Sequence, residues 1–404
     1  MNRALYAGLS ATAAQQVRMD VTANNLANVN TIGYKGQRTT FEDAFYQTIR
    51  SGRGGGAALG GVSPMQVGAG VAVGAISTLN SQGAMQQTGQ SLDAAIDGQG
   101  MFVVSGPRGV FYTRDGSFGL DDTNTLMMTS SGLKVQGWTA NPSGAVNTSA
   151  PCTAMVFPLN TMRPPQATST MDLEGNFTAG ATTSQISSVN VYDSLGLPHS
   201  VAFSFTPTTS AGEWAATAAF DGGTPAALGL VKFDTNGMYS SGGPLTVTAS
   251  PAGAAPVSVS VDVAKLTQFV SGGEVAASVQ NGYGPAALQS IGITDGGVVQ
   301  GAYSDGRSMT LGQVALASFA NPSGLGHSGN NLFTSGVSSG IAQVGPADTR
   351  GRGQVVGQTL EMSNTDLTAS FLEMLITQRA YQASTRVIST ASTLLDDAIQ
   401  LAGR

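Results

Sequence analysis

Residues 358–402 read QTLEMSNTDLTASFLEMLITQRAYQASTRVISTASTLLDDAIQLA and contain neither glycine nor proline. The chain holds 54 Gly and 16 Pro in 404 residues, so a stretch this long should carry roughly eight such punctuators. Within it Leu367, Phe371, Met374, Gln378, Tyr381, Thr385, Ile388, Ser392, Leu395 and Ile399 alternate steps of four and three. That spacing lays them along one stripe, the a/d seam of a coiled-coil-like helix. At 1.5 Å per residue a helix over 365–401 is about 55 Å long. Asn364 or Ser363 is expected to cap it, with Asp366 meeting the positive end of the helix dipole.

The other end of the chain repeats the device. No glycine or proline falls between Leu9 and Ile32, and Leu5, Leu9, Thr12, Gln16, Met19, Ala23 and Leu26 keep the same spacing. The Asn-rich run from Asn24 through Asn25 and Asn28 to Asn30 then closes the helix, with Gly33 as a turn residue before Tyr34. Polar residues on both seams (Gln16, Gln378, Thr385, Ser392) cost stability but select register and partner. Long helices are marginal in water without tertiary cover, and the flanking segments offer little apolar surface. The plainer reading is that the two helices pair as one layer of a globular domain; the sharper one, which is the expectation, is that they stay poorly ordered in the monomer and fold when copies of the chain stack.

Between Gly68 and Gly357 the pattern changes to short alternating runs, such as Met101–Val104, Val201–Phe205 and Val257–Val261, bounded by Gly, Asn, Asp and Pro. Such punctuation argues for antiparallel sandwiches or barrels and against βαβ units. A Thr/Ala/Ser-rich stretch begins near Asn141–Gly144 and ends around Gly282–Pro285. The expected plan is mostly β with long α-helices at both termini: nested, discontinuous antiparallel β domains on a terminal coiled-coil-like helix pair. Its parts are a helical core (1–32 and 358–404), a connecting segment (33–69), an inner β domain (70–145 and 285–357) and an outer inserted β domain (146–284). The Gly-rich run 51–61 within the connecting segment reads by composition as a flexible loop, or equally as a segment that orders against a neighbour in an assembly.

Charged residues make up only 10% of the chain and the net charge is −6. No cluster of Lys and Arg exists to neutralise phosphates, which argues against nucleic acid. No apolar run approaches the ~18 residues of a membrane span, so membrane insertion is not expected. Nor does the N-terminus read as a cleavable signal peptide. Eight acids against three bases over 146–284 suit a solvated outer surface.

The chemistry-bearing residues are sparse. His199 and His327 are the two histidines and Cys152 the one cysteine, which leaves no histidine-rich metal site, zinc set or internal disulfide. Gly324–Gly329 fits a dinucleotide fingerprint, but no long helix follows to supply a phosphate-binding terminus. Gly336–Gly340 fits a nucleophile elbow without the strand–turn–helix around it. Both read as turns. No catalytic residue, cofactor or metal is expected.

Three stretches carry a family resemblance: Asn24–Lys35, Gly357–Leu367 and Gln378–Ile388, supported by Arg114–Phe118 and Asn321–Leu325 in the β region. They resemble the flagellar axial proteins, and the whole chain looks like a flagellar hook protein. The resemblance implies terminal helices lining a tube, β domains radiating outward, and export without a cleaved signal to the extracellular flagellum. It also implies a homo-oligomeric helical polymer, a curved tube acting as a universal joint between rod and filament. Rod, hook-cap and hook–filament junction proteins would be its partners. The expected assembly interface comprises Leu5, Leu9, Met19, Leu26, Leu367, Phe371, Met374, Tyr381, Ile388, Leu395 and Ile399, and the junction motif Asn25, Asn28, Gly33 and Tyr34. Phe41–Arg50 and the Gly-rich run after it resemble the distal rod protein more closely. A straight rod subunit is thus the alternative, and a secreted β-rich adhesin a more distant one.

Overall fold

The computed structural model describes residues 2–55, 60–157 and 162–402. Part of the Gly-rich run (56–59) and the stretch 158–161 lie outside the described residues. Two helices, α1 (Asn2–Ala27) and α2 (Leu367–Ala402), flank a long succession of short strands. The chain forms two compact units, Met1–Pro158 with Ile291–Gly301 and Ser308–Arg404, and Leu159–Ser290 with Ala302–Arg307.

In the first unit α1 packs against α2. The two helices run antiparallel, since Gly8 lies against Ile388 while Arg18 pairs with Glu373. One face of α1 also meets an antiparallel ribbon made by Gln37–Asp43 and Val71–Thr78, with a bulge at Thr40/Phe41. Ser10 Oγ there accepts from the Val71 amide. A second ribbon, Tyr46–Arg50 with Met65–Gly68, extends the connection and is exposed along its whole length.

The sheet of this unit is antiparallel. Lys134–Thr139 pairs with Met101–Gly106 and with Ser308–Val314, Met101–Gly106 pairs with Gly109–Thr113, and that strand pairs with Leu332–Thr334. The period-two alternation places Phe102 and Val104 on one face and Met101 and Val103 on the other. Both faces are covered. Phe102 meets Phe118 edge-to-face at 5.0 Å, while Met101 and Val103 share a cluster with Tyr112, Trp138 and Phe333. Short pairings of Ala94–Asp97 with Gln354–Gly357, and of Met85–Gln87 with Thr359–Glu361, lead the chain into α2.

The second unit is a two-sheet β structure. One sheet orders Gln185–Tyr192, Pro198–Pro207, Glu213–Phe220, Ala226–Phe233 and Tyr239–Ser241, with antiparallel neighbours. The other orders Leu245–Ala249, Val257–Phe269, Thr170–Thr178 and Glu274–Gln280. Alternation buries Phe203, Phe205, Trp214, Val231, Val259 and Val261, and Phe177 stacks on Trp214 at 4.7 Å.

The observed architecture refines the expected one in three places. Thr170–Thr178 and Val257–Phe269 run parallel, an exception to the antiparallel plan that the long intervening chain makes possible. Residues 146–157, assigned above to the insert, pair inside the first unit. Val146 bridges Ala140, Thr153–Ala154 joins Lys134–Thr139, Val156 bridges Thr125, and Trp138 Nε1 donates to the Ala150 carbonyl. Conversely, 285–290 and 302–307 fall in the second unit. The Thr/Ala-rich composition tracks solvent exposure, not strand pairing, so it misplaced both boundaries. Finally, the terminal helices pack on one another within a single chain, the plainer of the two readings above, and do not depend on stacking between copies for all of their cover.

Candidate assembly site

The buried line of α2 is not the one its large residues draw. Ser370, Thr377 and Ala391 are buried, and Met374, Tyr381, Ser384, Ile388, Leu395 and Ala398 are half-buried between them. This line again alternates four and three. Every other position, however, is one residue earlier than expected and carries a small side chain. Small residues let the two backbones approach closely. Gly8 of α1 is buried, and a Cβ built on it would stand 2.8 Å from Ile388 Cγ1.

Of the expected interface residues, Met374, Tyr381, Ile388 and Leu395 line the helix pair, as do Leu5, Met19 and Leu26 in part. Leu9, Leu367, Phe371 and Ile399 are exposed, Leu9 to 60% and Ile399 to 67%. They are joined by Leu372, Leu375, Ile376, Val387, Leu394 and Leu401. At about 100° per residue, Leu372, Ile376, Val387, Leu394 and Leu401 fall on one stripe roughly 60° wide. Leu367, Phe371 and Leu375 form a second stripe on the opposite flank of the buried line. A helix apolar on three sides is built for a packed interior, and α1 covers only one of them.

The root of the helix pair is a buried polar clamp. Asn25 uses both ends of its amide on one backbone group: Nδ2 donates to the Gln37 carbonyl at 2.7 Å, and Oδ1 accepts from the Gln37 amide at 2.8 Å. Tyr34 Oη donates to the same Oδ1, and burial pushes the Tyr34 phenol up. Asn28 folds back onto Asn24, its Nδ2 donating to the Asn24 carbonyl at 2.9 Å and ending α1. Gly33 sits at φ +67°, and a Cβ there would come within 2.6 Å of the Asp115 amide nitrogen. That position therefore admits only glycine without displacement of backbone.

Lys35, Glu361 and Arg114 meet beneath this turn. Glu361 is fully buried; its Oε1 pairs with Lys35 Nζ and its Oε2 with Arg114 Nη1 at 3.1 Å. Oε1 also accepts from the Gly83 amide, and the Glu361 carbonyl accepts from the Gly33 amide. Burial pulls the Lys35 ammonium and the Arg114 guanidinium below their ordinary values, and the Glu361 carboxylate opposes this at both. Asn364 completes the clamp. Its Oδ1 accepts from Gly36 and its Nδ2 donates to the Leu79 and Ser81 carbonyls. The cap of α2 falls instead to Asp366, whose Oδ1 accepts from Thr368 and Ala369.

One cluster thus fastens the end of α1, the start of α2 and the β sheet together. The four junction residues named from sequence are part of it, whereas Lys35, Arg114 and Glu361 were not singled out. Their signal was present: three charged residues in a chain with few, each inside a stretch that carries the family resemblance. Of the two motifs expected to be turns, Gly336–Gly340 is one, whereas Gly324–Gly329 leaves a short 3-10 turn and enters a two-residue strand, Gly326–His327, paired with Phe333 and Thr334. Ser339 is buried, its Oγ donating to and accepting from Gly336. His327 faces Gln37 and Thr78, while His199, in the other unit, lies between Asp193 and Asp221.

Comparison with known proteins places the same segments in one family. Residues 5–35 match the model described as flagella basal body rod protein, and 95–171 that of the flagellar hook protein FlgE/F/G D1 domain. Residues 159–283 match the flagellar basal body protein FlaE D2 domain, and 356–401 the flagellar basal body rod FlgEFG protein C-terminal model. The flagellar hook protein FlgE of Treponema pallidum is 34% identical, over 99% of this chain and 100% of its own. The flagellar basal-body rod protein FlgG of Bacillus subtilis is 28% identical over 99% of each chain. Among solved structures, the flagellar hook protein FlgE2 of Helicobacter pylori shares the fold, with a TM-score of 0.51 and 14% identity. That match spans 68% of this chain and 99% of the other.

Proposed function

The chain belongs to the flagellar hook protein family and is a structural subunit of the bacterial flagellar hook; from that premise we propose how it assembles. The apolar stripes of α2 that α1 leaves open are the contact between copies. Neighbouring helix pairs pack against both flanks, which makes the contact heterologous and allows it to propagate as a helix. The product is a curved tube whose inner wall is helical and whose β units face outward. It acts as a universal joint, passing torque from rod to filament while each row of subunits shortens and lengthens. Discrete alternative contacts between weakly charged β surfaces would permit that sliding.

The clamp gives torque a rigid path within each subunit. Force entering through the helices reaches the β sheet through Glu361 and Asn25, not through a flexible hinge. The further parts of this reading are export to the cell exterior without a cleaved signal, and contacts with rod, cap and hook–filament junction proteins at the ends of the tube.

The observation that carries the proposal is the breadth of uncovered apolar surface on α2. Removing 366–404 tests it. The truncated chain should stay soluble and β-rich by circular dichroism and form no tubes under conditions where the full chain does. Tubes of normal diameter from the truncated chain would refute it.

A further inference from the structure

A pocket of about 390 Å³ opens in the first unit beside the clamp, and its charge is one-sided. Lys35, Arg114 and Arg350 line it together with Gln99, Asn80 and Gln343, and no carboxylate does. Glu361, behind the wall, offsets one of the three positive charges through its contacts with Lys35 and Arg114. In a chain of net charge −6, an excess of two cations around one cavity runs against the overall balance.

The hydrogen bonds point the same way. Arg114 is 4% exposed, its Nη1 and Nη2 donate to the Ile96 and Gly98 carbonyls, and its Nε is buried with no partner. A buried guanidinium nitrogen without an acceptor is costly. Lys35 spends two of its three protons on Glu361 and the Ser81 carbonyl. Arg350 is exposed at the mouth and, among the described residues, forms no ion pair or side-chain hydrogen bond. We infer that this pocket is an anion site that takes a carboxylate-bearing group, held by the Arg350 guanidinium in the positive field of buried Arg114 and Lys35, with Gln99 and Gln343 as further donors. A planar guanidinium fork matches the two oxygens of a carboxylate. The volume exceeds that of a bare ion and has room for a small organic acid or an acidic side chain with its stem.

Citrate is the probe. Calorimetric titration of the full, unassembled chain at pH 7 and constant ionic strength should give saturable binding. Arg350→Asn, which tolerates the left-handed backbone at that position (φ 49°), should weaken it about tenfold. Arg350→Glu should abolish it, with thermal unfolding of both variants unchanged. Absence of saturable binding, or equal binding by wild type and Arg350→Glu, would overturn the assignment. The source of the natural group is read separately. Citrate that slows tube formation by wild type marks a carboxylate from a neighbouring copy, and citrate without effect on assembly marks a soluble acid. Both require the binding to be lost in Arg350→Glu.

Discussion

Glu361 holds two cations at the point where three parts of the chain converge, and it has no solvent to fall back on. Replacing it with Gln leaves Lys35 and Arg114 buried without a counter-charge. Breaking a buried pair from one side costs about 3–5 kcal/mol, so Glu361→Gln should lower the melting temperature of the first unit sharply. Scanning calorimetry would register this, and a variant as stable as wild type would show the clamp to be dispensable. The two histidines give opposite pH responses. Asp221, and then Asp193, raise the His199 pKa by hydrogen bonding. Its contribution is therefore full below the unfolded value near 6.5 and is lost as pH rises through the higher folded value. Desolvation lowers the His327 pKa although the residue is exposed, so its contribution, small because solvent screens it, is present above about 6.5 and is lost as pH falls toward the folded value. Chemical denaturation between pH 5 and 8 should show the second unit weakening toward alkaline pH and the first toward acid. His199→Gln should flatten the former trend alone; a slope unchanged by that substitution would contradict the assignment.

At the level of elements, the helices show what a sequence can and cannot say about burial. The four-three spacing of α2 was legible: Met374, Tyr381, Ile388 and Leu395 are half-buried, Ile388 against Gly8 of α1. The alternate positions were not, because Ser370, Thr377, Ser384 and Ala391 are chosen for closeness of approach, a property that hydrophobicity does not register. Phe371, Leu367 and Ile399 fit the same spacing but lie on surface that a single chain leaves open. Apolar character marks a need for cover without naming what supplies it. The clamp was legible only in halves for another reason. Its ion pairs join residues 326 and 247 positions apart, a distance no local pattern spans. The buried line makes its own prediction. Thr377→Leu adds volume at a fully buried position of the helix and should cost about 1–3 kcal/mol, measured as lost helicity on heating. The same change at exposed Gln378 should leave stability within about 0.5 kcal/mol.

In the whole molecule, what a subunit needs to fold is separate from what it needs to join others. The first unit is held by its sheet, its clamp and the buried line of the helix pair. The second carries its own core around Trp214 and Phe177, enough to fold as a body. On the proposed reading, assembly draws on neither core but on the stripes of α2 that remain open when both are complete, and the low charge of the chain spares those stripes strong repulsion between copies.

The most direct measurement is electron microscopy of a chain altered on that open surface alone. Leu372→Lys with Ile376→Lys charges one stripe while keeping good helix formers and touching none of the buried line. The account predicts a monomer with wild-type melting temperature and helicity that forms no tubes under conditions where the unaltered chain does. Tubes of ordinary length and curvature from the doubly substituted chain would contradict it.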